Sequence, residues 1–186
     1  MSEEEEVRAD CQESVRSRLR WMLVNIESVA VASSVVFLFG RTLEEVWYLA
    51  AIMPVVAGLG GNAGTQALAV TVRRIAISDG PLERRPDAVG KELLVGLVNG
   101  IALGVAAAGV AWVAVVWAGL DPQLPFVVLF ALWGNIVVSG FAGAFIPTIL
   151  DRAGVDPAVA SSVFLTALTD LCGFMLLLGL ASALLL

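Results

Sequence analysis

The chain has 186 residues, of which 59% are hydrophobic and 15% charged, with a mean hydropathy of +0.89 and a net charge of −6. Its length suits one domain, and its composition is far too apolar for a soluble protein. Histidine is absent, which removes the commonest transition-metal ligand and the usual general base and argues against zinc, copper and most hydrolase chemistry.

The charge is segregated. Ten charged residues fall in the first twenty positions, MSEEEEVRADCQESVRSRLR, and the net negative charge comes from Glu3 to Glu6. Residues 1–18 read as an acidic cytoplasmic tail, and the acidity implies no nucleic-acid partner. No short apolar core of a cleavable signal peptide precedes the first apolar stretch, so that stretch is expected to stay in the membrane. Cys11 falls in the tail and Cys172 in an apolar segment, a pair unsuited to a disulfide.

From residue 19 onward the sequence predicts an all-α integral membrane protein with five spans, since a helix needs about 20 apolar residues to cross the hydrocarbon core. The first, 19–40, carries Glu27 in its early part, where a glutamate reaches headgroup water or pairs with Arg73 or Arg74. The second, 43–75, is too long for one straight span. It is expected to enter through an interfacial turn and to bend near Pro54 or the Gly58, Gly60, Gly61 cluster, buried beside a cavity or partner helix. The third, 89–118, carries Gly96, Gly100 and Gly104, a ridge for close helix packing. The fourth, 124–150, has a similar small-residue pair in Gly140 and Ala144, and places Asn135 and Ser139 four apart. The fifth, 158–185, holds Asp170 in the middle of SSVFLTALTDLCGFMLLLGLASALLL. With the N-terminus inside, ten of the eleven basic residues are cytoplasmic and only Arg41 is outside, which leaves the C-terminus outside.

A carboxylate at bilayer depth costs several kcal/mol unless it faces protein, water or an ion. Helical spacing puts Asp170 on one face with Thr166, Ser162 and Gly173. In the second span Gly58, Asn62, Thr65, Gln66 and Ala69 form another narrow polar stripe, and Asn135 with Ser139 offers a third. Oxygen-rich faces with one central carboxylate suit a hard, strongly hydrated divalent cation such as Mg2+, which keeps several waters and uses one or two carboxylates. In a symmetric dimer one Asp becomes two, which repel when empty and are neutralised by a divalent ion. Two charges moving through 100 mV gain about 4.6 kcal/mol.

The runs PVVAGLGGNAGTQALAVTVRRIA at 54–76 and GVDPAVASSVFLTALTDLCGF at 154–174, with RLRWMLVN and the Gly134–Asn135 to Pro147 pattern, resemble the transmembrane domain of the MgtE family of magnesium transporters and channels. The resemblance covers essentially the whole chain after Arg18. It implies a homodimer in the bilayer of the cell's inner (plasma) membrane, with an ion pathway along the subunit interface lined by the second and fifth spans. It also implies that Asp170, in Thr166-Ala167-Leu168-Thr169-Asp170, is the central Mg2+-binding residue. It brings Asn62 to the pore or its immediate support, while helical spacing adds Thr166 and Ser162 to the ion site and Thr65, Gln66, Gly61 and Thr169 as residues lining or supporting the pore. Glu27 stands where the family is expected to have a neutral residue and is read as a further residue of the pore's cytoplasmic mouth. The ion would be Mg2+ first, with Mn2+, Co2+ or Ca2+ as further candidates. Family members typically carry a cytoplasmic helical domain and a pair of CBS domains that sense Mg2+. Here about eighteen residues precede the first span, so this is expected to be a stand-alone form. A separate cytoplasmic regulatory subunit is left open, without any feature that indicates one.

Two other readings stand beside transport of Mg2+ by a channel or carrier. One is a Na+- or H+-coupled divalent cation exchanger using Asp170 and Glu27. The other is an enzyme or scaffold in the membrane. An intramembrane aspartyl protease needs a second aspartate in a GxGD-type motif and a rhomboid-like serine protease needs histidine, and the chain has neither. A scaffold leaves Asp170 without a purpose.

Overall fold

The computed structural model describes residues 11–77, 88–154 and 157–186. The acidic run at 3–6 and Arg8, Arg84 and Arg85 lie outside the described residues. Among those described there are six helices and no strand: α1 Cys11–Leu38, α2 Gly40–Glu45, α3 Leu49–Ile77, α4 Ala88–Ala118, α5 Leu124–Arg152 and α6 Pro157–Leu184. Four of them, α3 to α6, are long and apolar enough to cross a membrane, whereas the apolar part of α1 is the shorter stretch Met22–Leu38. At 1.5 Å per residue the 29 residues of α3 extend about 43 Å, beyond a hydrocarbon core of about 30 Å.

Local chemistry sets several boundaries. Gly119, at φ +65°, ends α4 and donates its N–H to the Val115 carbonyl at 2.9 Å, and Gly154, at φ +72°, ends α5 in the same left-handed conformation. Pro125 stands in the first turn of α5, where a missing N–H costs nothing. The expected interfacial turn before the second span is α2 followed by residues 46–48, with Arg41 and Glu45 paired at 2.9 Å on the exposed side of α2. From Leu49 the helix is continuous through Pro54 and the glycine cluster to Ile77. Pro54 lies exposed, and the lost hydrogen bond leaves the helix unbroken. The first helix starts at Cys11, ahead of the expected 19.

α5 is the centre of the bundle and packs against α3, α4 and α6; α1 packs on α6. The glycine ridge of α4 does what its spacing predicts. A Cβ at Gly96, Gly100 or Gly104 would lie 3.1, 3.1 or 3.0 Å from the carbonyl oxygens of Ile136, Trp133 and Leu129 respectively, so α4 runs antiparallel to α5 at near backbone contact. Gly140 answers from α5, where a Cβ would come within 2.7 Å of the Glu92 carbonyl oxygen. Gly64 meets Leu165 and Gly173 meets Val56, which makes α3 and α6 antiparallel.

These directions bring the C-terminal ends of α3 and α5 and the N-terminal ends of α4 and α6 to one side. Arg73, Arg74, Lys91 and Arg152 sit at that end. At the other, Trp47 and Tyr48 stand edge to face with ring centroids 6.1 Å apart, and Trp117 is 88% exposed. Aromatic rings of this kind mark a membrane–water boundary. Large apolar side chains such as Val98, Ile101, Val105, Val110 and Trp112 are exposed along α4, an outer surface suited to lipid rather than water.

Candidate ion site

The two glycine-rich faces of α3 have opposite uses. Val56, Gly60, Gly64, Ala67, Leu68 and Thr71 are buried against α5 and α6. A Cβ at Gly60 would collide with the Asn135 side-chain amide, and one at Gly64 would stand 3.0 Å from Leu165. Gly58, Asn62, Thr65 and Ala69 lie on the other side and are exposed, with Gly61 half-buried beside them. A Cβ at Gly58 or Gly61 would meet no atom within 4 Å, so nothing in the packing of this chain requires glycine there. The Thr65 hydroxyl donates to the Gly61 carbonyl at 2.8 Å.

On α6, Ser162 and Thr166 are exposed and Asp170 is half-buried, while Ser161, Leu165 and Thr169 point into the bundle. The Thr166 hydroxyl donates to the Ser162 carbonyl at 3.0 Å, and the buried Thr169 hydroxyl to the Thr166 carbonyl at 3.1 Å. Thr169 is therefore a packing residue whose polar atom is satisfied by its own helix. Asp170 makes no hydrogen bond or ion pair among the described residues. It falls between the two contacts that join α6 to α3, Leu165 with Gly64 and Gly173 with Val56. That places the carboxylate at the level of Gly58, Gly61 and Asn62, where α3 exposes glycine surface and an amide.

Other expected residues fall elsewhere. Gln66 is exposed but shares its face with Ala63, Ala67 and Val70, lining a cavity against α4 and α5 rather than the Gly58–Asn62–Thr65 stripe. Asn135 and Ser139 present no polar stripe, because both are fully buried. The Asn135 amide donates to the Val56 carbonyl at 2.9 Å and Ser139 to the Asn135 carbonyl at 2.6 Å, so this pair ties α5 to α3 and to its own backbone. Glu27 is exposed on α1 and forms no ion pair among the described residues, so its expected pairing with Arg73 or Arg74 is not made.

Sequence reasoning missed Glu92, a buried carboxylate in the first turns of α4. The signal was present. Glu92 stands four residues before Gly96 and thus on the same ridge as Gly96, Gly100 and Gly104, the side turned toward α5.

No group of three or more His, Cys, Asp or Glu side chains that would form an all-protein metal cage occurs among the described residues. The exposed polar groups of the two stripes are the Asp170 carboxylate, the Thr65, Ser162 and Thr166 hydroxyls and the Asn62 amide. That set suits an ion that retains most of its water, not one stripped into a cage.

Four long apolar helices, three of them packed around the fourth, α5, with polar stripes on α3 and α6, define a multi-pass α-helical membrane protein. The chain belongs to the MgtE family, whose model, described as a divalent cation transporter, matches residues 53–180. It is 34% identical over 178 residues to the magnesium transporter MgtE of Enterococcus faecalis, covering 96% of this chain and 38% of that protein. The magnesium transporter MgtE of Thermus thermophilus is 35% identical over 173 residues, covering 91% and 36%, and that of Bacillus subtilis 31% over 166 residues, covering 89% and 36%. The chain thus spans little more than a third of the length of these relatives.

Proposed function

We propose that this chain is the ion-conducting unit of a Mg2+ transporter and works as a homodimer, with Asp170 as the central ion-binding carboxylate. The observation that carries the reading is Asp170 itself, a half-buried carboxylate at mid-helix with no hydrogen-bond or ion-pair partner among the described residues, level with the uncovered Gly58–Gly61–Asn62 face of the neighbouring helix. A second copy across these stripes would shelter them from lipid and bring two carboxylates to one axis. A hydrated divalent cation there would offset both charges, with the side chains of Asn62, Thr65, Thr166 and Ser162 receiving its waters and the glycine surface at Gly58 and Gly61 giving it room.

In this reading α1 is the fifth pass, short in its apolar part and peripheral to the bundle. The basic ends of α3 to α6 face the cytoplasm and the Trp47, Tyr48 and Trp117 end faces outward, in the inner (plasma) membrane. The relatives named for magnesium support Mg2+ as the ion.

Growth of a bacterial strain that depends on supplied Mg2+ tests the assignment. Wild type is expected to restore growth at low Mg2+, and Asp170→Ala to lose it while still reaching the membrane at normal level. Normal growth on Asp170→Ala would overturn the reading.

A further inference from the structure

The bundle holds a second carboxylate to which the pathway through Asp170 gives no task. Glu92 is 7% exposed and makes no hydrogen bond or ion pair among the described residues. It lines a cavity of about 250 Å3 between α3 and α4, floored by Ile136 and Gly140 of α5. The cavity exists because α3 and α4 hardly touch one another, each packing on α5 instead. Its polar lining is Glu92, the amides of Gln66 and Asn99, and Lys91. Lys91 is exposed and, one residue on along the helix, turns about 100° away from Glu92. The two form no ion pair.

The Glu92 carboxylate opens onto this cavity. The groups that surround Glu92 supply amide oxygens, and at about 30 Å3 per water the space accepts roughly eight water volumes. That is too roomy for a dehydrated ion and about right for one that keeps its hydration shell. We propose that this cavity is a second cation site, in which Glu92 and the side-chain oxygens of Gln66 and Asn99 hold a hydrated divalent cation of the Mg2+ type. It stands on the cavity alone and does not require Asp170 to be the pore site. The ammonium of Lys91 at the cavity's edge opposes an entering cation, so binding is weak and sensitive to salt.

Mn2+, a hard cation with a paramagnetic signal, is the probe. The full chain is placed in nanodiscs of zwitterionic lipid, so that headgroups and the acidic tail contribute equally to every variant, and free Mn2+ is followed by electron paramagnetic resonance. In the Asp170→Asn background one Mn2+ class is expected to persist, to be displaced by Mg2+, and to weaken at least tenfold when Glu92→Gln is added. Equal binding by Asp170→Asn and the double variant overturns the proposal. If the double variant elutes as aggregate, Asn99→Leu with Asp170→Asn serves instead, with at least a threefold weakening expected and unchanged binding contradicting it. Failure of the Asp170 assignment looks different, since wild type and Asp170→Asn would then bind Mn2+ alike whatever Glu92 does.

Discussion

Neighbouring glycines in α3 do different work, and substitution separates them. Gly60 abuts the Asn135 amide, which is itself fixed by its bond to the Val56 carbonyl. Gly60→Ala is therefore expected to destabilise the bundle by about 1–3 kcal/mol, the usual cost of overpacking, seen as earlier unfolding on titration with a denaturing detergent. Gly61→Ala meets nothing within 4 Å and should unfold at the wild-type point. A bulkier change, Gly61→Leu, should also leave the monomer's stability close to wild type but reduce Mg2+ flux at least tenfold, because in the proposed dimer it would fill pathway space at the level of Asp170. Asn135→Ala removes the cross-helix bond and leaves the Val56 carbonyl buried without it, at a cost of about 1–3 kcal/mol in the same titration. The sequence made Asp170 conspicuous because a charge in an apolar run is legible from composition. It left the role of Asn135 open, since polarity and i+4 spacing alone do not say whether a helix face meets protein or an aqueous pathway.

At the scale of the element, the α4–α5 pair is held by backbone approach rather than by interlocking side chains. Gly96, Gly100 and Gly140 each put a carbonyl oxygen of the other helix at 3.1 Å or less from where a Cβ would be. Gly140→Ala is expected to cost about 1–3 kcal/mol, because the contact at 2.7 Å is backbone and cannot turn aside. Gly109, also in α4, faces open space and is the control, where alanine should be neutral or stabilising by up to about 1 kcal/mol. Equal stability of Gly140→Ala and Gly109→Ala would contradict this packing. The ridge was legible in advance because a four-residue repeat of glycine is at once a helical face and a volume constraint. Glu92 lies on the same ridge, four residues before Gly96. Only the neighbouring helices show that it is buried.

At the scale of the molecule, the proposed homodimer would shelter the exposed Gly58–Gly61–Asn62 face and Asp170, which has no partner among the described residues. Native mass spectrometry from detergent should report twice the 19.5 kDa chain mass, and a species that stays monomeric would remove the shared pathway. The all-helical architecture and the helix directions followed from the length and order of the apolar runs, whereas an interface between copies leaves little trace in a single sequence beyond an unexplained polar stripe. The claim that Asp170 carries the ion is tested most directly by Mg2+ entry into proteoliposomes under an imposed inside-negative potential, wild type against Asp170→Asn. Wild type should admit Mg2+ at a rate that rises with the potential while Asp170→Asn stays at the level of protein-free vesicles. Equal, potential-dependent entry through both proteins would contradict the account.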